Sequence, residues 1–397
     1  MRIKTVFDDF FVEEVLHFAP SKKEMPFRVF LLEKEGWNTA DALREAAAAR
    51  GVPLTEVRSV GKKDRHAHTL QYVSVPSQYD LACEGKGFSV RFAGYSNAHL
   101  APAVLKGNRF SVLLRDMEQT EAGRCEARLQ EVSARGFVNY FDDQRFGNVG
   151  EKGEFLAEML VKRRFGPALR KYFSFRHPDA PLPLKRRKAL LAAMWGKWEE
   201  MAPFCPEPLL KEMLTILRKR GEAGYRACLK LIPAPEMGLY FSAYQSFLWN
   251  ETLSRFLAKQ RGDLFLVSVR TGELLQYRML PEPLLSRLAS AALPTAAPDM
   301  PPLEPDIGEV FSALLFERGV RLSKFRLKEM EQAYFSSFPR ACTVVPGDAS
   351  WKREEDPLFP GKNAMRVNFF LPRGSYATMM LKAVAPEEAS IVQDPRT

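Results

Sequence analysis

The chain has 397 residues, 46% of them hydrophobic, enough to bury a full core and to form two domains. Its formal charge is +10 at pH 7, its apolar stretches fall far short of the roughly 20 residues of a membrane span, and its five cysteines are scattered without a CxxC pair. A transmembrane protein, a disulfide framework and a zinc finger are therefore not expected, and acids in "MRIKTVFDDFFVEEVL", where a signal peptide needs an apolar core, point to the cytoplasm.

In chain order, "FRVFLLEKEGWNTADALREAAAARG" predicts a strand, a turn at Gly36 and a helix capped by Asn38 or Thr39 and ended by Gly51. "TLQYVSVP", "GFSVRFAGY" and "NRFSVLLRD" predict strands, the first and last by apolar alternation, with Lys106, Gly107 and Asn108 as a turn before the last. That turn is read as a plain hairpin or as a loop that touches a ligand. Residues 1 to about 150 thus predict an α+β fold on a largely antiparallel sheet. After Gly153 the period is mostly helical to about Phe338, broken by "HPDAPLP" and by "LPTAAPDMPPLEPDIG", the second read as a stiff surface connection. "AMRVNFFLP" then returns to strand and "GSYATMMLKAV" to helix, which predicts one sheet domain interrupted by an inserted domain.

The charge excess is concentrated. From Lys162 to Lys188 ten Lys and Arg residues, Arg186 and Arg187 among them, stand against one acid, Asp179, and four aromatic residues are interleaved. Cations that neutralise phosphates beside rings that stack on bases suit a nucleic-acid partner; a solvated helix face is the plainer reading.

Three short stretches are candidates for chemistry. "GKKDRHAHT" places one acid, Asp64, in a cationic loop with Arg65 and His66, and Thr69 and Gln71 can reach back to it. "NYFDDQRFGNVG" gathers Asn139, three rings including Phe141, and Arg145 in one loop, a combination suited to a flat polar heterocycle. "FFLPRGSYAT" runs a strand into a helix whose N-terminus can face an anion. His66 and His68 form an HxH pair, but no carboxylate at fixed spacing accompanies them and no metal site is expected.

Together with "FFVEE" and the helical "SAYQSFLWN", these stretches resemble, in order and over nearly the whole chain, the TruD family of RNA pseudouridine synthases. The resemblance implies a pseudouridine synthase catalytic domain at 1–154 and 339–397, of α+β class with a largely antiparallel mixed sheet. It implies an inserted, mostly helical and basic TRUD-type domain at 155–338. It further implies isomerisation of uridine in RNA, characteristically uridine 13 of certain tRNAs, with tRNA as partner, no membrane, no metal and no cofactor. On this resemblance the catalytic acid falls on Asp64, the supporting lysine on Lys4 and the ring-stacking aromatic on Phe141, with Asn139 beside it. Arg145, Arg65, His66, Gln71, Arg186 and Arg187 are the expected RNA contacts, and a monomer is favoured. Asp142 stands where the family usually has Gly, and Lys382 where it often has Arg.

A carboxylate near an anomeric carbon can cleave and remake a glycosidic linkage. Asp64 would attack C1′ or take the C2′ proton, and a cation at Lys4 would keep it ionised. The alternatives are an inactive tRNA-binding protein or RNA chaperone, and a metal hydrolase at His66 and His68.

Overall fold

The computed structural model describes residues 1–61, 63–150, 153–177, 180–328, 330, 334–385 and 392–393. The chain forms two compact units, Met1–Phe137 with Val344–Thr397, and Val138–Thr343. In chain order the main elements begin with β1 (Phe10–Leu16), β2 (Phe27–Lys34), α1 (Thr39–Arg50), β3 (His68–Pro76), β4 (Phe88–Ser96), β5 (Leu105–Met117) and α2 (Gln119–Arg135). The second unit contributes α3 (Phe165–Ser174), α4 (Leu182–Ala193), α5 (Pro208–Arg220), α6 (Ala234–Ala258), β6 (Asp263–Val269), β7 (Gly272–Met279) and α7 (Pro305–Glu317). The chain returns to the first unit with β8 (Gly347–Glu355), β9 (Asn363–Pro372) and α8 (Ala377–Val384). Among the described residues no helix is long and apolar enough to cross a membrane.

The first unit is α+β. Its mixed sheet runs β8-β9-β5-β1-β3-β2-β4, with short strands added at its margins. All these neighbours pair antiparallel except β1 and β3, which run parallel with Phe11 opposite His68 and Glu13 opposite Leu70. The period-two pattern sends Phe30, Leu32, Val73, Val75 and Val90 to one face, where Leu43, Ala46 and Ala47 of α1 cover them. Asn38 stands at the N-cap of α1, and Gly51 ends the helix in the left-handed region at φ 65°.

Lys106, Gly107 and Asn108 are not a turn. They lie inside β5, with Gly107 between Val15 of β1 and Pro372 of β9. Here glycine answers a crowding demand: a Cβ on Gly107 would lie 2.2 Å from the Leu371 carbonyl oxygen.

In the second unit helices predominate, and α6 is buried on nearly all sides over Tyr244 to Leu257. Two sequence expectations need correction there. The helical period hides a hairpin, β6 and β7, paired from Val269↔Gly272 outward. The Pro-rich stretch after Ala292 is not a surface connection throughout. Ala292–Pro294 pairs with Pro339–Ala341, and Thr295, Ala296 and Ala297 are buried. Gln245 donates to the carbonyls of Ala296 and Ser336 at 2.8 and 2.9 Å, which draws that segment inward.

The contact boundaries fall at 137/138 and 343/344, whereas the sequence expectation put them at 154/155 and 338/339. The "NYFDD" loop explains the difference. Asn139 donates its backbone N–H to Cys342, and Phe141 exchanges both backbone hydrogen bonds with the Asn250 side chain. The loop is thereby tied into the second unit.

Candidate active site

Asp64 lies on the loop that enters β3, and almost every residue around it is fixed from the sheet or from α1. Glu14 of β1 is buried; its carboxylate accepts from the Lys63 ammonium at 2.6 Å and from the Tyr72 N–H at 2.8 Å. Gln71 donates to the Gly61 carbonyl at 3.2 Å and accepts from Thr39 Oγ1 at 2.9 Å. Thr39 Oγ1 in turn accepts the Lys63 N–H, and Arg65 Nε donates to the Gly36 carbonyl at 2.9 Å. A short loop restrained at so many points loses little further entropy when a ligand arrives.

Two lysines hold Asp64 itself. Lys4 Nζ donates to its Oδ2 at 2.5 Å, and Lys34 Nζ donates to its backbone carbonyl at 2.9 Å. Lys4 is 5% exposed and Lys34 1%, so both ammonium groups are withdrawn from water. The His66 N–H donates to Asp64 Oδ1 at 3.1 Å. Burial acts to raise the pKa of Asp64. The Lys4 ammonium, by charge and hydrogen bond, and His66 outweigh it and hold the carboxyl below the usual carboxylate range. Burial pushes the Lys34 ammonium down to about 8, with Asp64 opposing and Lys63 adding to the fall. The loop therefore presents an ionised carboxylate, part-exposed, with ammonium groups behind it.

The parallel pairing of β1 and β3 explains why Lys4 and Asp64 meet. Residues that precede two parallel neighbours arrive at the same end of the sheet. Lys4 adopts φ 58°, an unusual conformation for a side-chain-bearing residue. Just beyond it Asp9 is fully buried and accepts three hydrogen bonds from Arg115, whose Nη1 also donates to Asp356 at 2.9 Å. This buried triad anchors the turn that delivers Lys4 to the loop.

Several expected contacts take other places. Gln71 is fully buried with both amide atoms engaged, so it braces the loop and has no face for RNA. Thr69 Oγ1 is buried and does not reach back; it makes no hydrogen bond. His66 lies before β3 and is exposed, whereas His68 opens the strand, so the two do not form a same-face pair. His68 is ringed by acids, with Nδ1 at 3.0 Å from Asp8 and Nε2 at 2.8 Å from Glu33. Burial lowers its pKa, but Glu33, Asp8 and Glu35 prevail and raise it, which favours the imidazolium. Arg65 and His66 are exposed beside Asp64.

In the second unit Asn139, Phe141 and Arg145 share one cluster. Arg340 donates to the Asn139 carbonyl at 2.7 Å and to its Oδ1 at 3.0 Å, and its guanidinium lies 3.9 Å from the Phe141 ring centroid. Phe141 is 1% exposed, with Trp249 meeting it edge-on at 5.7 Å. Arg145 lies over the same ring at 5.7 Å and donates to Ser242 Oγ at 3.4 Å. On α4, Arg186 is exposed and Arg187 is ion-paired with Glu207.

Lys34, Arg340 and Asn250 were missed by sequence reasoning. Lys34 carried a signal, since it continues the buried alternation of Phe30 and Leu32. Asn250 is the last residue of "SAYQSFLWN". Arg340 carried none.

An ionised carboxylate braced by buried lysines, on an α+β sheet, is the arrangement that makes this loop the candidate site. The family described as tRNA pseudouridine synthase D (TruD) matches residues 1–384. This chain belongs to that family, whose members are isomerases. It is 28% identical over 388 residues to the tRNA pseudouridine synthase D of Leptospira interrogans, covering 96% of this chain and 95% of that protein. It is 27% identical to a protein of Methanococcus maripaludis named probable tRNA pseudouridine synthase D 1, covering 97% and 99%. In fold it is similar to a TruD crystal structure from Methanosarcina mazei, with a TM-score of 0.72 at 23% identity, covering 96% and 93% of the two chains.

Proposed function

We propose that this chain converts uridine to pseudouridine in tRNA in the cytoplasm, with uridine 13 as the target and Asp64 as the carboxylate that acts on the ribose. The observation that carries the reading is the Lys4–Asp64 pair, which keeps one acid ionised at the surface of a cationic loop. Attack at C1′ or removal of the C2′ proton would each release uracil, which turns and rejoins through C5. Neither route changes oxidation state or gains a group. The uridine must leave its stack, at a cost of roughly a few kcal/mol. Phe141, the ring expected from the sequence to stack on the base, is 1% exposed with the Arg340 guanidinium 3.9 Å from its centroid, so within the second unit it braces its own loop.

On this reading the Met1–Phe137 and Val344–Thr397 unit is the pseudouridine synthase catalytic domain, and the Val138–Thr343 unit is the inserted TRUD-type domain. Arg65, His66, Arg145 and Arg186 supply contacts to RNA.

The test is release of tritium from tRNA labelled with 5-³H-uridine. Wild type releases it and Asp64→Asn does not, while tRNA binding persists in both. A wild-type protein that binds tRNA and releases no tritium would favour the RNA-chaperone reading instead.

A further inference from the structure

Within the second unit, the first turn of α3 borders an open cleft of about 760 Å³. One wall is aromatic. The rings of Trp195 and Tyr225 stack at 6.0 Å and 29°, and Trp198 meets Trp195 edge-on at 5.0 Å. Gly166 creates the room for Tyr225, since a Cβ there would lie 2.8 Å from the tyrosine ring. Trp195 and Tyr225 are both half-buried, held from behind and open to the cleft.

The remaining wall is cationic. Arg164 and Arg226 are exposed, and their guanidinium groups make no hydrogen bond or ion pair with a described residue. Arg163 differs, because its guanidinium is spent on the carbonyls of Lys324 and Arg326. The acid on the rim, Glu222, accepts from the Tyr225 hydroxyl at 3.4 Å.

Arg170 lines this cleft and also a second one, of about 680 Å³, with Lys171, Ser174 and Arg176. Lys171 is 8% exposed, and its ammonium makes no hydrogen bond or ion pair with a described residue and lies 4.9 Å from the Phe175 ring centroid. Burial pushes that ammonium down to about 8, Glu154 opposing. A buried cation without an acceptor is costly unless an anion reaches it.

We propose that the two clefts form one docking site for single-stranded RNA, in which an unpaired base stacks on Trp195 and Tyr225 while Arg164, Arg226, Arg170 and Lys171 hold the flanking phosphates. Stacking on an aromatic face tolerates any base, and neutralised phosphates add a salt-dependent component. The inference rests on the reading that the substrate is RNA. It adds a grip on that RNA built wholly from residues of the second unit.

The experiment compares wild type, the double variant Arg164→Glu with Arg226→Glu, Trp195→Leu, and Lys171→Gln. Two exposed lysines of α5, Lys211 and Lys219, both changed to Glu, serve as the control for charge alone. Labelled-tRNA affinity is measured over a range of salt concentrations, with tritium-release kinetics and circular dichroism alongside. The double variant and Trp195→Leu are each expected to weaken binding roughly tenfold. The double variant also flattens the salt dependence, and KM rises more than kcat falls. Binding that falls no further than in the α5 control overturns the proposal, even if the wild type releases tritium. Loss of binding in these variants, from a wild type that binds but releases no tritium, supports the docking site and ends the isomerase reading. A wild type that binds no tRNA ends both.

Discussion

Lys4 Nζ stands 2.5 Å from Asp64 Oδ2, across 60 residues of sequence, with the lysine 5% exposed. Burial of that carboxylate would by itself raise its pKa, and the lysine is the main reason that it falls. Replacing Lys4 with Met is therefore expected to move the acid limb of the tritium-release profile upward. Activity at pH 5.5 falls more than activity at pH 8. An unmoved acid limb would mean that Lys4 does not govern the ionisation of Asp64.

Asn250 is fully buried and holds the Phe141 backbone at both ends, accepting at 2.9 Å and donating at 2.8 Å. Asn250→Ala strips the Phe141 N–H of its acceptor and the carbonyl of this donor. Each loss is expected to cost about 1–3 kcal/mol, read from urea denaturation. Asn250→Asp keeps the acceptor but sets a second carboxylate oxygen against the Phe141 carbonyl at a fully buried position, so it is expected to destabilise at least as much as Ala. Equal stability of wild type and Asn250→Ala would contradict the account.

His68 gives a pH signature to stability. Its folded pKa lies above that of a free histidine because Glu33, Asp8 and Glu35 surround it. The unfolded state therefore holds fewer protons, and the stabilisation is complete below the unfolded value of about 6.5. It is lost as pH rises through the folded value. His68→Gln should lower the urea midpoint slightly at pH 5.5, because Asp8 is largely exposed, and leave it nearly unchanged at pH 9.

Gly107 sits between β1 and β9, where a Cβ would meet the Leu371 carbonyl oxygen at 2.2 Å and the Phe370 ring at 2.5 Å. Neither the backbone oxygen nor the strand pairing can yield cheaply. Gly107→Ala is expected to destabilise by about 1–3 kcal/mol, with a lowered thermal midpoint. A wild-type midpoint would show that β5 and β9 separate more freely here than their pairing indicates.

Much of the first unit was legible because its signals are local. Apolar alternation marked β3 and β5, and Gly51 marked the end of α1. The hairpin β6–β7 was missed because its alternation is short and follows a long helix, so the helical period ran through it. The turn expected at Gly107 failed for a different reason. Lys-Gly-Asn is turn chemistry, but neighbours on both sides supply strand pairing that overrides local preference.

The sequence alone determined the residue types of the candidate site, since a single acid among cations, a ring beside an amide and a basic segment are visible without coordinates. It also determined which family these motifs resemble. Only the tertiary structure decided that Lys4 reaches Asp64, that Lys34 and Glu14 support the loop, and that Gln71 turns inward. The reason is the parallel pairing of β1 with β3, a contact between segments far apart in the chain. Which strands become neighbours depends on how the whole sheet buries its apolar face, and no short window of sequence records that choice.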